Sequence, residues 1–180
     1  MVNVIIAAKK KDDVFWREIS SMLEKNFHAI TVHERKLKAN CTAPELIVTD
    51  IDSFCSIQSQ DTIIIFKDPV KMDIEDSGGR MTVAVVDSQN IKLGPIVAST
   101  GIPAITCGLS ARDTITLSSI RTDSAVIDLQ RSVTCFDNSI VEPQDIPVNL
   151  EKPVDSFALM AVASVCILTG KIDRLEAIKL

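Results

Sequence analysis

Compact apolar runs govern what this chain can fold into: Val2–Ala8, Glu45–Ile51, Thr62–Phe66 and Met81–Val86. A strand with one wet face alternates apolar and polar residues, whereas a strand covered on both faces does not. Val2–Ala8, continuous and rich in β-branched residues, is of the second kind. Between these runs lie helical signals. Val14, Phe15, Ile19, Met22 and Leu23 recur at helical spacing, and Asp12 is placed to cap that helix. His28–Val32 reads as a short second strand, and Ser77-Gly78-Gly79-Arg80 as a turn before Met81. Strands of this type joined by crossovers predict an open, largely parallel, Rossmann-like α/β sheet.

The pattern changes past the middle of the chain. Pro103–Cys107 reads as a strand ended by Gly108. Asp113–Ile120, Ala125–Leu129, Ser132–Phe136 and Ile146–Leu150 follow as closely spaced short strands. Close spacing with polar turns predicts an antiparallel β meander. Phe157–Leu168 has no polar face, so it reads as a buried C-terminal helix, capped by Ser156 and ended by Gly170. The expected organisation is an α/β sheet portion over 1–108 and a meander with its closing helix over 109–180, packed as one unit.

Composition removes several function classes. A net charge of −5, 4% aromatics and no tyrosine leave neither a basic footprint nor a stacking platform for nucleic acid. Charge is uneven, +3 over residues 1–40 and −8 over the rest. Lys9-Lys10-Lys11 could dock an anion, but such runs are more simply solvated loops. The longest apolar stretch, Phe157–Leu168, is 12 residues, short of the ~20 that cross a membrane. No charged-then-apolar secretory leader is visible at the start. Five cysteines (Cys41, Cys55, Cys107, Cys135 and Cys166) without a C-x-x-C pair suit reduced cytoplasmic thiols, not a disulfide framework or a zinc site.

Glycine placement carries the strongest chemical statement. The first 77 residues contain none, so the turn after the first strand lacks the glycines by which backbone amides cradle phosphate. Thr169-Gly170-Lys171 ends a helix where a phosphate loop would begin one. No G-x-S-x-G elbow is present, and His28 and His33 have no motif around them, which favours structural roles. Acidic residues at strand ends remain. Asp50 and Asp52 follow Leu46–Thr49, Asp68 follows Ile63–Phe66, and Asp87 follows Val83–Val86. In an open α/β sheet the carboxyl ends of strands line the ligand crevice, where carboxylates can hold Mg²⁺. The simpler expectation is that they turn the chain. No metal, cofactor or catalytic residue is assigned.

Pro103-Ala104-Ile105-Thr106-Cys107-Gly108-Leu109-Ser110-Ala111-Arg112-Asp113-Thr114 resembles the closing strand of the central domain of the peptidoglycan Mur ligases. There a strand ending Thr-x-Gly-hydrophobic precedes an acidic residue and antiparallel strands. The resemblance runs on through Ser124–Leu129 and Ile146–Leu150 to Phe157-Ala158-Leu159-Met160-Ala161, where the family has a helix opening Asn-Ala-Leu-Ala-Ala. Thr62–Asp68 with Pro69 is similar to the family's strand ending Asn-x-Asp-Asp-Pro, and roughly residues 45–170 are covered. The family's Gly-Lys-Thr phosphate loop has no counterpart, its His-Asn pair falls at Pro153-Val154, and its C-terminal ligase domain is not seen. The resemblance therefore implies a shortened Mur-like domain without ATP-dependent ligation, carrying over only Asp68 as a ligand candidate. A second resemblance is to response-regulator receiver domains. Pro44–Ile51 is similar to the strand bearing their phosphorylated aspartate, which maps to Asp50. The family's acidic pair would be Asp12 and Asp13, three lysines beyond strand one.

The expected function is a non-catalytic, Mur-ligase-like cytoplasmic module binding a protein partner, its own copy or a small anionic ligand. The alternative is a Mg²⁺-dependent phospho-switch or enzyme that uses the strand-end aspartates.

Overall fold

The computed structural model describes residues 1–9, 13–39, 41–53, 55–57, 61–74 and 81–175. Its elements in chain order are β1 (Val2–Ala7), α1 (Asp13–Asn26), β2 (Ala29–His33), β3 (Lys36–Ala39), β4 (Leu46–Ile51), β5 (Cys55–Ile57), β6 (Thr62–Phe66), β7 (Met72–Ile74) and β8 (Thr82–Asp87). Then come α2 (Leu93–Thr100), β9 (Ala104–Gly108), β10 (Ile115–Ile120), β11 (Ser124–Leu129), β12 (Val133–Thr134), β13 (Ile140–Val141), β14 (Gln144–Asn149) and α3 (Ser156–Leu168).

Ten of these strands form one sheet in the order β14-β11-β10-β9-β8-β6-β1-β4-β2-β3. From β2 to β10 every neighbouring pair is parallel. The outer pairs β10–β11, β11–β14 and β2–β3 are antiparallel. The sheet is mixed, mostly parallel, with an antiparallel meander at one end.

The uninterrupted apolar strands have the cause expected of them, because both faces are covered. In β6 all five residues are buried. Ile63 and Ile65 face the layer of α1 and α3, while Ile64 and Phe66 face a smaller core with Leu93 and Val97 of α2. Helix α3 is buried almost throughout, and Phe157 stacks on Phe15 of α1 with ring centroids 5.6 Å apart. Among the described residues no helix is long and apolar enough to cross a membrane.

Several expectations are corrected. The cap of α3 is Asp155, whose carboxylate accepts from the Ala158 amide at 2.9 Å, and Ser156 is already the first helical residue. An ionised acceptor at a helix start gains from the dipole as well as from the hydrogen bond. Ser132–Phe136 does not join the meander; Val133–Thr134 pairs with Ile140–Val141 in a separate small ladder. Helix α2 and strands β3, β5 and β7 had no sequence signal. Gly170 does end α3, at φ 68°. The expected Asp12 cap, the Ser77–Arg80 turn, Lys10 and Lys11 lie outside the described residues.

Candidate functional site

Parallel strands bring their carboxyl ends to one rim of the sheet, where ligands of open α/β folds sit. The four aspartates singled out in the sequence all lie there, and the structure gives three of them, Asp50, Asp68 and Asp87, separate partners. Asp50 is the fifth residue of β4, level with Ile6 of β1. Asp52 follows β4 and is exposed. Asp68 follows β6, and its Oδ2 accepts from the Lys9 amide at 2.8 Å. Asp87 closes β8 and accepts from the Gln89 amide at 2.9 Å, folding its own turn. Because β1 lies between β6 and β4, Asp50 and Asp68 flank it on opposite sides.

Asp50 has the richest surroundings. Strands β2 and β4 run parallel with Val32 level with Thr49, so the next residues, His33 and Asp50, emerge side by side. His33 Nδ1 stands 2.9 Å from Asp50 Oδ2, and Nε2 stands 4.0 Å from Oδ1 of Asp13 at the start of α1. Nδ1 is sealed from solvent, and its approach to Asp50 lacks the alignment of a hydrogen bond. The imidazole stacks on Trp16 with centroids 4.7 Å apart and planes 15° apart. Trp16 is itself 6% exposed, so the ring has a firm floor. The next residue, Glu34, brings a third carboxylate: single ligand atoms from Asp13, His33 and Glu34 all lie within 4.8 Å of one another.

The hairpin that presents Glu34 is unusual. His33 pairs with Lys36, leaving Glu34 and Arg35 as a two-residue loop, with φ of 45° and 67°. Positive φ at both positions is the primed turn that suits strand twist, yet Asn and Gly normally supply it. Sequence reasoning missed His33 because no motif surrounds it and only the β2–β4 register joins it to Asp50.

On the other flank of Asp50 the first backbone amides after β1 are already engaged. Ala8 donates to the Ile51 carbonyl at 3.0 Å, and Lys9 donates to Asp68. Lys67 and Asp68 donate to the Ala7 carbonyl at 2.9 and 3.1 Å. The Lys67 ammonium lies 4.6 Å from the Phe15 ring centroid, a cation–π contact.

Farther along the rim Gly108 ends β9 against Asp113, a carboxylate only 4% exposed. Asp113 Oδ2 accepts from the Ser110 amide at 3.0 Å, and the Asp113 amide returns a bond of 2.8 Å to the Ser110 carbonyl. The acid of the Thr-x-Gly segment therefore builds the turn into β10.

This α/β fold matches domains of the Mur ligases. Solved structures similar to the chain include MurF from Acinetobacter baumannii, with a TM-score of 0.58 and 10% identity over 99% of this chain and 46% of that one. A murein peptide ligase from Psychrobacter arcticus gives 0.55 and 8% over 98% and 46%. The MurF ligase of Thermotoga maritima, in complex with ADP, gives 0.55 and 11% over 99% and 49%. At such identities the likeness is one of fold, and the chain spans about half the length of these structures. No protein-family model matches the sequence, and no curated protein does.

Of the residues described after β1, Ala8 and Lys9 do not suit a nucleotide held by its phosphates. That mode needs free amides on a glycine-bearing turn. Here the Lys9 amide is spent on a carboxylate, and the nearest glycine in sequence is Gly78. A phosphate brought to Asp68 would meet like charge instead of an N–H donor.

Proposed function

We propose that this chain is a non-catalytic, Mur-ligase-like module that works by binding a protein partner, a second copy of itself or a small anionic ligand. The observation that carries the reading is the Lys9–Asp68 bond, which puts a carboxylate at the amide a phosphate would take. Four free cysteines among the described residues, three of them buried, accord with a reducing compartment such as the cytoplasm.

The test is titration of the purified protein with ATP and ADP in the presence of Mg²⁺, read by calorimetry and by thermal unfolding. A ligand at ~100 times its Kd would stabilise the native state by about 2.7 kcal/mol. The expected result is no heat of binding and no shift at millimolar nucleotide, with light scattering or co-purification showing an oligomer or a bound protein. Saturable, Mg²⁺-dependent nucleotide binding would overturn the reading. The alternative, a Mg²⁺-dependent phospho-switch or enzyme on the strand-end aspartates, predicts instead that Mg²⁺ alone raises the melting temperature. It also predicts that Asp50→Asn removes that rise.

A further inference from the structure

We propose that Asp13, His33 and Glu34 form a binding site for a divalent transition ion of the Zn²⁺ or Co²⁺ type, with Asp50 holding the histidine from behind. The argument begins with spacing. Metal–ligand bonds of ~2.0–2.2 Å place ligand atoms about 3–4 Å apart across the ion. His33 Nε2 and Asp13 Oδ1, at 4.0 Å, are too far apart for a hydrogen bond and suitably spaced to share a cation. The widest separation in the trio, within 4.8 Å, closes by a small rotation of the exposed Asp13 or Glu34 side chain.

The far side of the ring supplies an independent reason. A ligating histidine characteristically turns its other nitrogen to a carboxylate, which fixes the tautomer and raises the basicity of the ligating nitrogen. His33 comes close to this arrangement before any ion arrives. Nδ1, sealed from solvent, stands 2.9 Å from Asp50 Oδ2 and needs only a small reorientation to donate to it, while Nε2 stands 4.0 Å from the open Asp13 carboxylate. Stacking on Trp16 holds the ring in that orientation. Ligands come from the first residue of α1, the end of β2 and its hairpin, so the site rests on packed elements.

Donor chemistry selects the ion. Mg²⁺ and Ca²⁺ take oxygen ligands, and Mg²⁺ keeps much of its water. An imidazole beside carboxylates suits zinc and its neighbours. The carboxylates of Asp13, Glu34 and Asp50 around one imidazole supply negative charge that a divalent cation would partly neutralise.

The chain carries its own reporter, because Trp16 is the only tryptophan and lies against the ligating ring. Co²⁺ titrated into the whole protein is expected to quench Trp16 fluorescence saturably, with recovery on adding EDTA and competition by Zn²⁺. His33→Gln should abolish saturable quenching, while Glu34→Gln and Asp50→Asn should raise the apparent Kd tenfold or more. His28→Gln, at the other and exposed histidine, should leave the curve unchanged. Absence of saturable quenching in the wild type would sink the proposal, as would a curve in His33→Gln equal to the wild type. Should His33→Gln fail to fold, the exposed Glu34 and Asp13 decide: unchanged affinity in both Glu34→Gln and Asp13→Asn refutes the site. Displacement of Co²⁺ by Mg²⁺ at comparable concentration would refute the choice of ion.

Discussion

Arg174 grips Glu45 at two points, Nη1 to Oε2 at 2.8 Å and Nη2 to Oε1 at 3.0 Å, across 129 residues of chain. Lys171 bonds the same carboxylate, and the His28 amide donates to it at 3.0 Å. Arg174 Nη1 also reaches the Asn26 carbonyl at 2.8 Å, and the guanidinium lies 4.6 Å from the Phe27 ring centroid. The turn after α3 is thereby fastened to the start of β4, at the end of the sheet opposite the His33 cluster. Arg174, followed by backbone and Lys171 donors, holds the Glu45 carboxyl far below its ordinary value of 4.5.

Glu45→Gln should therefore destabilise the protein by about 1–2 kcal/mol at pH 7, since charge-assisted bonds are lost from a partly exposed group. A folded-state pKa below the unfolded one means that the stabilisation is complete above pH 4.5 and fades as the pH falls further. Urea unfolding of wild type and variant at several pH values checks this. The two midpoints should differ at neutral pH and converge in acid; a gap independent of pH would contradict the assignment.

Asp155→Ala should cost about 1 kcal/mol, the usual loss at a helix N-cap, because the Ala158 amide loses its acceptor. Ser156→Ala should be close to neutral. Equilibrium unfolding of the two variants side by side separates the observed cap from the one suggested by the sequence, and equal effects would discredit the Asp155 assignment.

These two sites show what the sequence could and could not carry. The parallel strands were legible because burial on both faces writes itself as an unbroken run, as in Ile63-Ile64-Ile65. Helix α2 was not, since Gly94-Pro95 and Ser99-Thr100 read as loop while only Leu93 and Val97 are buried. Strand β3 is exposed along its whole length, and Glu34-Arg35 is no turn signal. The strand-end aspartates were visible as residue types. Their partners were not, because His33 meets Asp50 through strand register and Asp68 meets Lys9 across 59 positions. Long-range pairing of this kind has no local periodicity to announce it.

Two glycines should respond to alanine to different degrees. A Cβ on Gly108 would lie 2.2 Å from Ser88 Oγ and 2.4 Å from Asp113 Oδ2. Ser88 can rotate, but moving the buried Asp113 carboxylate breaks its bond to Ser110, so Gly108→Ala should cost about 1–3 kcal/mol. Gly94, in the first turn of α2, has nothing within 4 Å of the added atom apart from its chain neighbours and the helix's own backbone. It precedes Pro95, whose ring crowds a Cβ in helical backbone. Gly94→Ala should therefore stay within about 0.5 kcal/mol of wild type, the crowding offsetting the gain from a less flexible unfolded chain. Denaturant midpoints test the pair, and a stabilised Gly108→Ala would show that the turn at Asp113 is not tightly packed.

Thiol chemistry tests the central layer. Cys107 and Cys166 are fully buried, and burial pushes both thiols up to about 12. Asp113 and Asp87 add to the rise at Cys107. At pH 8 only about one thiol in ten thousand would then be thiolate, the form that reacts. Cys41 is partly exposed. Iodoacetamide on the native protein at pH 8 should therefore modify Cys41 promptly and spare Cys107 and Cys166, as read by peptide mass spectrometry. Their labelling should track global unfolding, rising with urea in step with the loss of secondary structure. Modification of either at the rate of Cys41 in native buffer would mean that α3 opens away from the sheet far more readily than its burial implies.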